Sequence, residues 1–258
     1  MASGNCLAQC LRGLGVSTLS RKTQIRADQV HRLVDADGDG TLDLAELRTR
    51  VWGLSHVSGD GASKSETSVR APTALSPEQG ESAEIAAVRA GLARAVLKHF
   101  NESPEPRITL AQWRAMIADQ VDNGGELATR QLLARYAVNI LYATSPAVAE
   151  HAERVFALAI EGSGNSTLDP AEFRILSMAQ SNASPITDEM LDLDESQRIS
   201  KHEFLFMVSH HIAPEGGALR TQAEYEQKTM ALLASYEEAV ELHLKEYKAE
   251  KRRKMGLM

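Results

Sequence analysis

The sequence predicts an all-α fold in which four helix–loop–helix units form two pairs and a long helix closes the chain. Three observations point to it. Apolar residues recur at spacings of three and four through most of the chain, as one face of a helix requires. Four short segments, 35–46, 101–112, 161–172 and 192–203, interrupt that pattern, and each carries an aliphatic residue at its eighth position: Leu42, Ile108, Leu168 and Ile199. After Pro214-Glu215-Gly216-Gly217 a charged stretch resumes with a single apolar stripe. At 258 residues and 43% hydrophobic content the chain can bury a proper core.

Residues 1–22 show no clear periodicity and read as a flexible or processed arm. The first 27 residues hold Arg12, Arg21, Lys22 and Arg26 but no acid, which permits a transit peptide and hence an organelle. Otherwise the two cysteines, Cys6 and Cys10, supply no disulfide framework, and a reducing, cytoplasmic setting is the natural reading; acylation of either is the alternative use. No apolar run approaches the roughly 18 residues of a membrane span. A net charge of −7 argues against nucleic acid as a partner.

The first pair is expected over 23–122. Ile25, Val30, Leu33 and Val34 mark a helix into the first loop, and Leu44, Leu47, Val51 and Leu54 mark one leaving it after Asp43. Residues 55–83 are rich in Ser, Gly, Pro and charge and read as a flexible linker. Ile85, Val88, Leu92, Val96 and Leu97 form a helix stopping near Phe100; Trp113, Ile117 and Val121 follow the second loop. Asp122-Asn123-Gly124-Gly125 signals a turn before a connecting helix, placed within 123–145. The second pair spans 146–213, with Ser145-Pro146 and Ser184-Pro185 as helix starts and His210-His211 as a helix end rather than a metal site. Residues 214–258 hold an amphipathic helix whose stripe is Leu233, Tyr236, Val240, Leu244 and Tyr247. That stripe packs on the protein's own helices or serves self-association or a protein target through residues 219–251. Lys251-Arg252-Arg253-Lys254 reads as a solvated end that complements the helix dipole, and the acidic whole argues against membrane contact.

The first loop carries the most chemistry. Asp35, Asp37 and Asp39 stand at positions one, three and five, Gly40 at six, Asp43 at nine and Glu46 at twelve. This is the calcium-loop pattern of an EF-hand. Calcium takes six to eight oxygens, and alternating aspartates on a tight turn supply charged ones. Gly40 admits the positive φ that swings the chain round the ion, the Thr41 carbonyl adds a neutral ligand, and Glu46 closes the site bidentately. An acidic surface turn needs none of this register.

The other loops are poorer copies. In 101–112, Pro106 opposes the turn that Gly40 makes and Gln112 offers no bidentate carboxylate, so this loop is read as ion-free. Loop 161–172 starts weakly, with Glu161, Ser163 and Ser166 at positions one, three and six, and is read chiefly as a brace for the fourth. Loop 192–203 keeps acids at Asp192, Asp194 and Glu203 and serine oxygens at Ser196 and Ser200, while Gln197 must take a strained positive φ. It is read as a second, weaker calcium site.

With a strong first hand, a degenerate second of the form Arg107-Ile108-Thr109 and close third and fourth hands, the chain resembles the sarcoplasmic calcium-binding proteins, calerythrins and luciferin-binding proteins over Ile25–Ile212. The resemblance implies four EF-hands in two paired lobes. It implies calcium, with magnesium at rest, on Asp35, Asp37, Asp39, Thr41, Asp43 and Glu46 and on Asp192, Asp194, Ser196, Arg198, Ser200 and Glu203. The long linker and the C-terminal helix depart from that family. The expected function is calcium buffering or calcium-dependent signal modulation. The alternatives are a small-ligand carrier of the luciferin-binding kind, for which 5% aromatics including Trp52 and Trp113 give thin material, and a partner-recruiting scaffold with structural calcium. No nucleophile–base set, phosphate loop or zinc spacing points to an enzyme.

Overall fold

A computed structural model describes residues 19–52, 82–103, 106–161, 165–178, 196, 198–212 and 222–254. Most of the expected linker, the short helix expected before Leu191, and Asp192 and Asp194 lie outside the described residues. The described chain is mostly helical, and it divides into two compact units between Ile140 and Leu141.

In the first unit, α1 (Arg21–Val34) begins four residues before Ile25, so Arg21 and Lys22 belong to a helix and not to the arm. Ser20 explains the early start: its hydroxyl accepts from the Thr23 amide as an N-cap. The buried face of α1 is Ala27, Val30, Leu33 and Val34, and Ile25 is only half-buried. After the loop and β1 (Thr41–Leu42), α2 is α-helical only over Leu44–Glu46 and then widens into a π turn, Leu47–Val51. The longer helix expected there is thus interrupted, with the Trp52 amide donating to the Leu47 carbonyl at 3.1 Å. In that turn Arg50 Nη1 donates to the Leu33 carbonyl at the end of α1 (2.6 Å), filling one acceptor that the helix cannot satisfy itself.

Helix α3 (Ala83–Glu102) takes in Ala83 from the expected linker and runs two residues beyond Phe100, capped at its start by Ser82. β2 (Ile108–Thr109) pairs antiparallel with β1, Leu42 opposite Ile108 and Thr41 opposite Thr109. Thr109 and Gln112 then form a capping box that starts α4 (Leu110–Gly124). Leu42, Ile108, Trp113 and Ile117 have no exposed surface at all. Trp113 Nε1 donates to the Ala27 carbonyl at 2.9 Å, and Arg114 grips Asp28 with two hydrogen bonds of 2.6 and 2.7 Å, so α4 is fastened along α1. Gly125, at φ 86°, closes α4 with its amide on the Val121 carbonyl, and α5 (Glu126–Thr144) follows at once, as the Asn-Gly-Gly sequence predicts. Glu126 takes hydrogen bonds from the hydroxyls of Ser20 and Thr23, the latter at 2.8 Å, which ties the start of α5 to the start of α1.

In the second unit, α6 (Pro146–Glu161) leads to β3 (Thr167–Leu168), which pairs antiparallel with β4 (Ile199–Ser200), Leu168 opposite Ile199. Helices α7 (Pro170–Met178) and α8 (Lys201–Ile212) leave these strands, and His210 and His211 sit in the last turn of α8. Phe156 on α6 meets Phe204 on α8 with ring centroids 5.7 Å apart. The final helix, α9 (Gln222–Lys254), packs on α6, α7 and α8 and buries Leu233, Tyr236, Val240 and Leu244. The stripe fades earlier than expected, because Tyr247 is 44% exposed. Polar contacts fix the helix along its length: Ser145 to Glu226 at 2.6 Å, His151 to Glu237 at 2.8 Å and Lys248 to Glu161 at 3.3 Å. No helix among the described residues is long and apolar enough to cross a membrane.

Two predictions follow from the first unit. Ile108→Ala removes a fully buried member of the two-residue ladder and should cost about 2–5 kcal/mol in denaturant unfolding; a loss below about 1 kcal/mol would show that the ladder is not a core element. The Ser20 hydroxyl, with that of Thr23, holds the Glu126 carboxyl below the usual glutamate range. A carboxyl lowered on folding stabilises above its unfolded value and loses that contribution as pH falls through the folded one. Glu126→Gln should therefore cost roughly 0.5–1.5 kcal/mol at pH 7, and the difference from wild type should begin to shrink as pH falls past the ordinary glutamate value of about 4.3 and vanish only below the lowered folded value; a gap independent of pH would assign the effect to geometry rather than charge.

Candidate metal centre

The site is built from the end of α1 outward. Asp35 caps that helix, its amide donating to the His31 carbonyl at 2.9 Å, and its carboxylate turns back to accept from the amides of Gly38 (2.8 Å) and Gly40 (3.0 Å). Asp37 accepts from the Asp39 amide at 3.1 Å. Asp39 accepts from the Thr41 amide at 2.8 Å and the Thr41 hydroxyl at 2.6 Å. Each aspartate thus folds the backbone over its own carboxylate, as short polar side chains do in turns. Gly38 and Gly40 take φ of 73° and 83°, which a side chain would oppose whatever the space around it.

The result is convergence. One carboxylate oxygen from each of Asp35, Asp37 and Asp39 lies within 4.8 Å of the others. Oxygens bound to one hard cation at about 2.4 Å can stand no more than about 4.8 Å apart, so the three fit a shared ion. Burial pushes the Asp35 carboxyl up, and the same cause pushes up Glu46. Asp39 moves the other way, because the Thr41 hydroxyl and amide stabilise its charge.

The remaining expected ligands are placed less directly. Glu46 accepts from the Ala36 amide (2.6 Å) and the Asp43 amide (2.9 Å), so it already spans the loop, but it is not one of the three converging carboxylates. Asp43 caps α2 by accepting from the Glu46 amide at 2.8 Å, completing a capping box. Thr41 is engaged with Asp39 through its amide and hydroxyl.

The other three loops differ. In 101–112, Asn101 and Glu102 are the last residues of α3, so the segment's opening positions are helical. In 161–172, Glu161 ends α6 and pairs with Lys248, while Asp169 and Glu172 cap α7 reciprocally at 2.8 and 2.9 Å. In 192–203, Ser196, Arg198, Ser200 and Glu203 are described. Glu203 is buried and accepts from the Ser200 amide (2.7 Å) and hydroxyl (2.8 Å), the Ser196 hydroxyl donates to the Arg198 carbonyl at 3.1 Å, and Arg198 Nη1 donates to the Thr167 hydroxyl at 3.3 Å.

One functional residue escaped the reading of the sequence. Arg107, from the loop taken as ion-free, forms an ion pair with Asp39 and donates to the Thr41 hydroxyl at 3.3 Å. A signal was available: Thr41-Leu42-Asp43 with Ala45-Glu46 recurs as Thr167-Leu168-Asp169 with Ala171-Glu172, and Arg107-Ile108-Thr109 recurs as Arg198-Ile199-Ser200. The arginine of each second loop reaches the threonine of its partner at the same 3.3 Å. Comparison with protein-family models, curated proteins and solved structures finds no match, so the site stands on its own geometry.

Proposed function

We propose that this protein binds calcium through residues 35–46 as an EF-hand protein with its loops in two pairs, and that it acts as a calcium buffer or calcium-dependent modulator. The observation that carries the reading is the convergence of Asp35, Asp37 and Asp39 on a glycine turn that runs straight into the Leu42–Ile108 ladder. A hard divalent cation suits this donor set, since every offered ligand is an oxygen and three are carboxylates. Glu46 would complete the sphere by exchanging its amide contacts for the ion, and Asp43 lies beside it for a water-mediated contact. The second pair repeats the ladder, with Glu203 buried at the corresponding twelfth position, which supports a further and weaker site at 192–203.

The apolar stripe of α9 is spent on the helices of its own unit. A modulator opens when loaded and uncovers apolar surface whereas a buffer barely opens, so a rise in hydrophobic-probe fluorescence on adding calcium separates modulation from buffering. A small-ligand carrier is less well supported. Among the described residues, one cavity between α6, α7 and α9, lined by residues that include Ala159, Ile175, Val240, Leu244 and Tyr247, holds about 200 Å³, below the roughly 300–1,000 Å³ usual for ligand pockets.

Calorimetric calcium titration of the wild type beside Glu46→Gln and Glu203→Gln tests the proposal. The expected result is a wild type with one tight and one weaker site, loss of at least about tenfold in the tight site with Glu46→Gln, and loss of the weaker with Glu203→Gln. A wild type that takes up no calcium would overturn it.

A further inference from the structure

We infer that Arg107 is a built-in counter-cation that weakens and tunes ion binding by the 35–46 loop, an inference that rests on the calcium reading of that loop. The second loop is the poor one by its ligands, yet it sends its one strong cation into the ligand set of the first. Arg107 pairs with the Asp39 carboxylate, whose other oxygen already takes the Thr41 amide and hydroxyl. Both oxygens of Asp39 thus carry donors before any ion arrives, and an incoming dication shares the Oδ2 charge with a guanidinium already paired to it.

Arg107 is not a side chain that merely wandered there. Its own carbonyl accepts from His99 Nε2 at 2.8 Å, and the next residue, Ile108, is locked into the ladder opposite Leu42. The backbone is thus held on both sides while the guanidinium, more than half exposed, extends across to the first loop. Its positive charge opposes a dication twice over, by occupying Asp39 and by standing close to the site.

The second unit supplies an internal comparison. Arg198 takes the corresponding place and reaches Thr167, but the residue matching Asp39 there is Asn165, which carries no charge to pair. Among the described residues the same scaffold thus occurs with and without the carboxylate partner, and the first unit is the one in which the arginine pairs with a carboxylate of the acidic loop.

The test is calcium calorimetry on full-length wild type, Arg107→Gln and Arg107→Lys, at low and at 0.5 M salt, with thermal unfolding of each in chelator. Arg107→Gln should bind calcium about two- to fivefold more tightly at low salt, as expected for loss of an exposed ion pair, while its ion-free form unfolds at lower temperature. The gain should shrink at high salt, where the pair is screened. Arg107→Lys should bind no more weakly than wild type, and it also serves if the glutamine variant fails to fold. Equal affinities for wild type and Arg107→Gln would reduce the pair to a solvated contact and sink the inference alone; weaker binding would show that Arg107 orients Asp39 for the ion, which also overturns it. A wild type that takes up no calcium would end the calcium reading itself, and this inference with it.

Discussion

Leu42 and Ile108 face each other in a ladder two residues long, and both are fully buried. So short a pairing contributes little through its own hydrogen bonds. Its importance is positional: it fixes the later part of both loops, the eighth position of one against the eighth of the other, and each strand passes directly into a capped helix. The loop geometry depends on it, because the turn through Gly40 must deliver Leu42 to Ile108. The second unit repeats the device with Leu168 and Ile199. A loop with poor ligands is then explained by packing, since its aliphatic residue and capping box complete the core of the loop that has good ones.

Much of this was legible in the sequence. The aliphatic residue at the eighth position of each loop stood out among polar neighbours, and these four residues are the ones that face each other, Leu42 with Ile108 and Leu168 with Ile199. The aspartates at alternate positions announced their convergence because each short carboxylate bonds an amide two to five residues ahead. Helix limits were less legible. Asn101, Glu102 and Glu161 read as the first residues of loops yet finish helices, since nothing in their chemistry forbids another half turn. The π turn at Leu47–Val51 left no trace, because an apolar spacing of three and four does not distinguish it from an α-helix.

Arg107 shows a different limit. Its contact with Asp39 spans 68 residues and depends on the strand register, so it is invisible to local pattern; only the internal repeat of Arg-Ile-Thr and Arg-Ile-Ser marks the position. The C-terminal helix lies between these cases. Its stripe announced burial but not where burial ends, and Tyr247 emerges into solvent after Leu244. Within the second unit the stripe and three polar contacts seat α9 on α6, α7 and α8 as a component of the core.

The central claim is that the acidic loop binds a cation and that the ladder transmits this to the loop without good ligands. Two-dimensional amide NMR during a calcium titration tests it most directly. One equivalent of calcium should shift the amide resonances of Gly40, inside the loop, and Ile108, across the ladder, with the same titration midpoint. Amides that stay where they are, or a Gly40 shift that leaves Ile108 unmoved, would contradict the account.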